Sequence, residues 1–141
     1  MVDIVVENIT ERTVKFNYIG ELQPLPVNKV GDALIYFDEI YDADGATIGH
    51  VVGMATATEV LPNGHLMTHY EEAIELPDGT LRSSGDQDRQ LMLAGELVRH
   101  EVVGTGGKYL GLTGTREWAV ASPVADLNHR LDGNVRFHLH D

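Results

Sequence analysis

The chain contains no cysteine, which removes disulfides, thiolate metal sites and cysteine nucleophiles together. The fold must stand on packing alone. Basic residues are scarce: ten Lys and Arg against 22 Asp and Glu give a formal net charge of -12, a field that repels phosphate backbones and anionic lipid surfaces. Nucleic acid is not an expected partner. No apolar run approaches the length of a membrane span, and the opening MVDIVVENITERTVKF carries acids where a signal peptide needs a basic start. The expectation is a soluble cytoplasmic protein with no membrane partner. Nor does the chain hold a nucleophile elbow, since Ser83, Ser84 and Ser122 lie in no triad motif. GTGGK lacks both the Walker spacing and the helix that should follow it.

Metal ligation is also poorly supported. His138 and His140 share one strand face, but two ligands are not a site, and Phe137 and Leu139 claim the inward face of that strand. Neither a metal nor a cofactor is expected.

What the chain does have is 15 glycines and a single tryptophan. They meet in GTGGKYLGLTGTREW, residues 104–118, read as a glycine-rich reversal at Gly104, Gly106 and Gly107 feeding a curling strand. Period-two alternation from Trp118 puts Val120, Arg116, Gly114, Leu112 and Leu110 on one face and Tyr109, Thr113, Thr115 and Glu117 on the other. The first face reads as interior. Trp118 is then either part of a cavity wall or a packed core ring.

The rest of the chain reads as strands and turns within one domain, 1–141, the usual size for a single core. Residues 1–11 lack a clear pattern and are read as an arm or first edge strand. RTVKFNYIG, residues 12–20, alternates like a strand. Residues 21–30, with Pro24 and Pro26, cannot continue a paired strand and are read as a loop capping the barrel mouth. GDALIYFDEIYD and TIGHVVGMATATEVL form a hairpin around DADG, and Pro62-Asn63-Gly64 and Pro77-Asp78-Gly79 turn the chain twice more. Asp86 to Gln90 reads as a charged loop, and Leu91 to Val103 as mostly strand, although LMLAGELVRH has helical propensity. NVRFHLH is the last strand. About eight strands with short turns predict an all-β, closed antiparallel up-and-down barrel with an apolar lumen.

In HLMTHYEEAIEL, residues 65–76, alternation places Leu66, Thr68, Tyr70, Glu72, Ile74 and Leu76 inside. Tyr70 can donate to a ligand carbonyl or to a neighbouring backbone group. Glu72 needs a partner in an apolar lumen, and Arg116, inward by the same parity, supplies one. The pair serves either as a structural ion pair or in acid-base chemistry.

Three segments, GDALIYFDEIYDADGATIGHVVG, THYEEAIELPDGTLRSSG and GTGGKYLGLTGTREW, resemble the allene oxide cyclase-like barrel superfamily, to which plant dirigent proteins also belong. FDEIYDADG and GKYLGLTGTREW are most similar to the bacterial spirotetronate cyclases, the Diels-Alderases of abyssomicin-type polyketide pathways. The resemblance implies a cofactor-independent intramolecular cycloaddition of a linear polyketide, joining a diene to an exocyclic-methylene tetronate. It assigns Tyr70 and Trp118 to the positions that flank the tetronate ring, and Tyr36 to an aromatic lining position. Leu34, Met54, Leu66, Thr68, Glu72, Leu112, Arg116 and Val120 complete the expected substrate-binding surface. His69 beside Tyr70 and Thr115 before Arg116 depart from the family pattern and leave the substrate open. Two other readings remain: a related cyclase using an interior acid, and a non-catalytic, dirigent-like barrel for a hydrophobic ligand. The oligomeric state is open, with a homodimer as one arrangement.

Overall fold

The computed structural model describes residues 1–19, 29–122 and 131–141. Among them, eight strands run β1 (Asp3–Ile19), β2 (Ala33–Tyr41), β3 (Thr47–Val60), β4 (Leu66–Leu76), β5 (Gly79–Asp88), β6 (Val98–Gly107), β7 (Thr113–Val120) and β8 (Asp132–His140), with one short helix, α1 (Arg89–Leu93), before β6. They close into an antiparallel barrel in chain order, β1 pairing with β8. Among the described residues every strand is therefore paired on both sides along part of its length, which limits the edge available to template aggregation. The expected capping loop at 21–30 falls almost wholly outside the described residues.

The amino terminus is neither an arm nor an edge. It is the first part of a 17-residue strand that pairs with β8 through Asp3–Arg12 and with β2 through Thr10–Ile19. Two bulges, between Val6 and Ile9 and between Thr13 and Lys15, shift its phase. Asn8 adopts a left-handed φ of 61° at the first, a conformation asparagine tolerates better than most residues. The shift turns Ile9 and Glu11 inward.

The reversal before β7 also lies later than the glycines suggest. Gly104 to Gly107 belong to β6, and the chain turns over Lys108–Leu112, closed by Leu110 N–H to Gly107 O at 3.2 Å and Leu112 N–H to Tyr109 O at 3.0 Å. Alternation therefore stops at Thr113. Leu110 is 68% exposed, while Tyr109, expected outside, is buried. Residues 91–103 are likewise not mostly strand at their start. Asp88 caps α1 by accepting from Leu91 N–H at 3.1 Å, and His65 Nδ1 holds the same carboxylate at 2.8 Å. Gly95, at φ 109°, ends the turn and donates to Met92 O at 3.1 Å.

Packing divides the lumen along its axis. Toward the end that carries the chain termini and the β2–β3, β4–β5 and β6–β7 turns, Ile40, Val51, Ile74, Leu81, Val102, Phe137 and Leu139 fill it completely. Toward the other end, three rings lie over glycines of neighbouring strands: Tyr36 over Gly53, His100 over Gly85 and Trp118 over Gly133. A Cβ at any of these glycines would overlap the ring above it. Their absence lets the rings line the wall and leaves space in the middle.

Candidate functional site

That space is a cavity of about 850 Å³, counted to include the part open to solvent. Its wall is mostly apolar: Phe16 from β1, Leu34 and Tyr36 from β2, Ala55 from β3, Val98 from β6 and Trp118 from β7. Tyr70 of β4 stands opposite α1, its hydroxyl donating to Met92 Sδ at 3.3 Å, and its ring lies 5.6 Å from that of His100. A thioether is a weak acceptor, so the hydroxyl can move to a stronger one at little cost. Burial, followed by the nearby Glu72 carboxylate, pushes the Tyr70 phenol well above its ordinary range. It is a donor at every physiological pH.

The floor is polar. Arg116 Nη2 donates to Glu11 Oε1 at 2.6 Å, and Arg116 Nη1 lies 3.4 Å from Glu72 Oε1, all three side chains almost fully buried. Tyr36 donates its hydroxyl to Glu72 Oε2 at 2.5 Å. Asp38, the next inward residue of β2, completes the layer. Burial first, and then the neighbouring Glu11, raises the Asp38 carboxyl to about 10. Burial also raises Glu72, against the pull of Arg116. Arg116 itself stays above its usual value, because Glu11 and Glu72 outweigh the cost of burying it. Three carboxyls thus face one guanidinium, and at neutral pH Asp38 keeps its proton.

Higher in the wall, Asp88 fixes the start of α1 so that Arg89 and Met92, one turn apart, both point into the barrel. His100 also lines the cavity, held by Asp86 O at 3.3 Å from Nε2, while its Nδ1 has no partner among the described residues. Burial, then Arg116, lowers its pKa and keeps the ring neutral.

Of the residues expected at the site, the structure brings Leu34, Tyr36, Thr68, Tyr70, Glu72, Arg116 and Trp118 to the cavity wall. Val120 and Leu112 are buried in the core but do not reach the cavity, and Leu66 packs with Ala57 in a separate cluster. Met54 is a correction: it faces outward and is 41% exposed. The inward positions beside it are Gly53 and Ala55, because Tyr36 of the adjacent strand already fills that part of the lumen. Sequence reasoning missed Glu11, Asp38, Arg89, Met92 and His100. For Asp38 a signal existed, since it follows Leu34 and Tyr36 at period two.

Among the described residues, no three His, Asp or Glu side chains are arranged to hold a metal ion. No helix among them is long and apolar enough to cross a membrane.

A family model described as "Allene oxide cyclase barrel like domain" matches residues 12–131. A search of curated proteins returns no match. Among solved structures the chain is similar to AbnU, described as an exo-specific intermolecular Diels-Alderase, at 28% identity and a TM-score of 0.78, covering 97% of each chain. It is also similar to the Diels Alderase AbmU from Streptomyces koyangensis, at 28% identity and a TM-score of 0.80. A third structure, described as a nonspecific heme-binding cyclase that catalyses [4 + 2] cycloaddition during neoabyssomicin biosynthesis, is 26% identical with a TM-score of 0.80. The match covers 99% of this chain and 64% of each of the latter two.

Proposed function

The chain belongs to the allene oxide cyclase-like barrel family, and from that premise we propose that it catalyses an intramolecular Diels-Alder cycloaddition of a linear polyketide, joining a diene to an exocyclic-methylene tetronate to give a spirotetronate. One observation carries the reading: an apolar cavity whose wall sets a tyrosine hydroxyl, donating to a thioether, among aromatic rings. Cycloaddition moves no proton and leaves no charged intermediate. Catalysis then consists of folding a flexible chain so that its reacting carbons meet, an effect that reaches about 7 kcal/mol or more in favourable intramolecular cases. Trp118 and Tyr36, seated on their glycines, give the wall a fixed shape. Tyr70 leaves Met92 and donates to the dienophile carbonyl, where a bond that strengthens in the transition state adds electrophilic activation.

The deciding assay follows product formation from a linear diene-tetronate substrate, with and without the protein, and with and without added heme, because one similar structure is described as heme-binding. Acceleration over background, with one stereochemical product and no need for heme, is the expected result. Binding without acceleration would make this a ligand-binding barrel.

A second reading rests on the proton stored by Asp38. A cyclase that protonates its substrate from the floor would lose activity as pH rises toward 10 and would lose it altogether in Asp38→Asn. A cycloaddition keeps the same rate from pH 6 to 9.

A further inference from the structure

Arg89 has no use in the folding of the barrel that its surroundings reveal. It is 8% exposed and lines the cavity, and its Nε and Nη1 are hidden from solvent with no acceptor among the described residues within hydrogen-bond reach. Among the described residues no carboxylate forms an ion pair with it, in a chain with 22 acidic residues. The other buried arginine, Arg116, has two. The groups that act on Arg89 electrostatically are the phenols of Tyr70 and Tyr18, and burial lowers its pKa. A guanidinium nevertheless stays charged across the physiological range, so among the described residues this is a buried cation without a counter-ion. Such a group is costly unless something pairs with it.

We propose that Arg89 receives an anionic oxygen of the substrate's head group, the enolate of an acidic acyl-tetronate or a carboxylate. The inference rests on the cyclase reading for the tetronate, but the anion site stands on Arg89 alone. Three features converge on that assignment. The unpaired N–H groups belong to a residue that lines the cavity and is fixed there by the capped start of α1. One turn on, Met92 holds the hydroxyl of Tyr70, so a single head group can take a hydrogen bond from Arg89 through one oxygen and from Tyr70 through another. At the floor, the carboxylates of Glu11 and Glu72 outnumber the one guanidinium they share, which disfavours an anionic head there and directs it toward Arg89, with the apolar chain across the wall. Arg89 thereby sets which way round the substrate enters. A planar fork suits an oxygen pair that shares one charge.

The test is calorimetric titration of the intact protein with two matched pairs of small probes: 3-acetyltetronic acid against its O-methyl ether, and sorbate against methyl sorbate. The indole N–H resonance of the single tryptophan, which lines the same cavity, reports whether each probe enters. Wild type should bind the charged member tighter on the order of tenfold or more, and Arg89→Gln should abolish the preference. Preference confined to the sorbate pair supports the anion site while counting against the tetronate head. Equal binding of charged and neutral probes in both pairs overturns the proposal. Arg89→Met supplies a check without ligand: removing an uncompensated buried charge should raise the melting temperature, and a lower one would show that Arg89 already has a partner in the free protein.

Discussion

Replacing Asp38 by asparagine tests the polar floor most directly, because the side chain keeps its shape and loses its titration. The Asp38 carboxyl is raised to about 10 by burial and by Glu11, whereas in the unfolded chain it titrates near about 3.9. Between those values the folded state holds a proton that the unfolded state has released, so stability falls as pH rises. The contribution is fully present below the unfolded pKa and is lost on passing up through the folded one. One proton gives a slope of about 1.4 kcal/mol per pH unit. From pH 6 to pH 8 wild type should lose roughly 3 kcal/mol relative to Asp38→Asn, which for a domain of this size is a melting-temperature change on the order of 10 °C. Melting curves of both proteins at the two pH values measure this difference and cancel the contributions of the exposed histidines and carboxylates. If the gap between the two proteins is the same at pH 6 and pH 8, Asp38 is ionised in the fold and the proton-sharing floor does not exist.

Three other outcomes are expected. Tyr70→Phe should slow single-turnover cyclisation by about tenfold, a transition-state loss of about 1-2 kcal/mol, and barely change the melting temperature, since the hydroxyl donates to a thioether, a weak acceptor. Trp118→Ala should cut the rate further and destabilise the fold by about 3 kcal/mol, because the ring is buried against Gly133, and paired kinetic and melting measurements will show both losses. Gly53→Ala forces a methyl into the Tyr36 ring and should destabilise by about 1-3 kcal/mol; in a thermodynamic cycle, most of that loss should disappear when Tyr36 is also shortened to serine.

The barrel was legible because most of its strands alternate between recognisable turns, and the inward faces of β4 and β7 follow from Tyr70 and Trp118 alone. β1 hid its role because two bulges break the period, leaving no single phase from which Glu11 could be seen to face inward beside Arg116. Met54 failed for the opposite reason. Hydrophobicity favoured it as lining, yet where Tyr36 fills the lumen beside β3 the inward positions need glycine and alanine, Gly53 and Ala55, and Val52 and Met54 are left outside. Arg89 sits in a helix too short for any periodic signal, and only the capping interaction of Asp88 with Leu91 explains why it turns inward.

The charged layer of Glu11, Asp38, Glu72 and Arg116 also acts as a partition. On one side lie the close-packed residues around Phe137 and Ile40, on the other the walls of the cavity. Substitutions above the partition change the shape offered to a ligand without opening holes in the part of the barrel that holds it folded. A lineage descending from this barrel can therefore exchange one substrate for another by a few replacements at Leu34, Ala55, Thr68 or Val98, with the close-packed lower half unchanged.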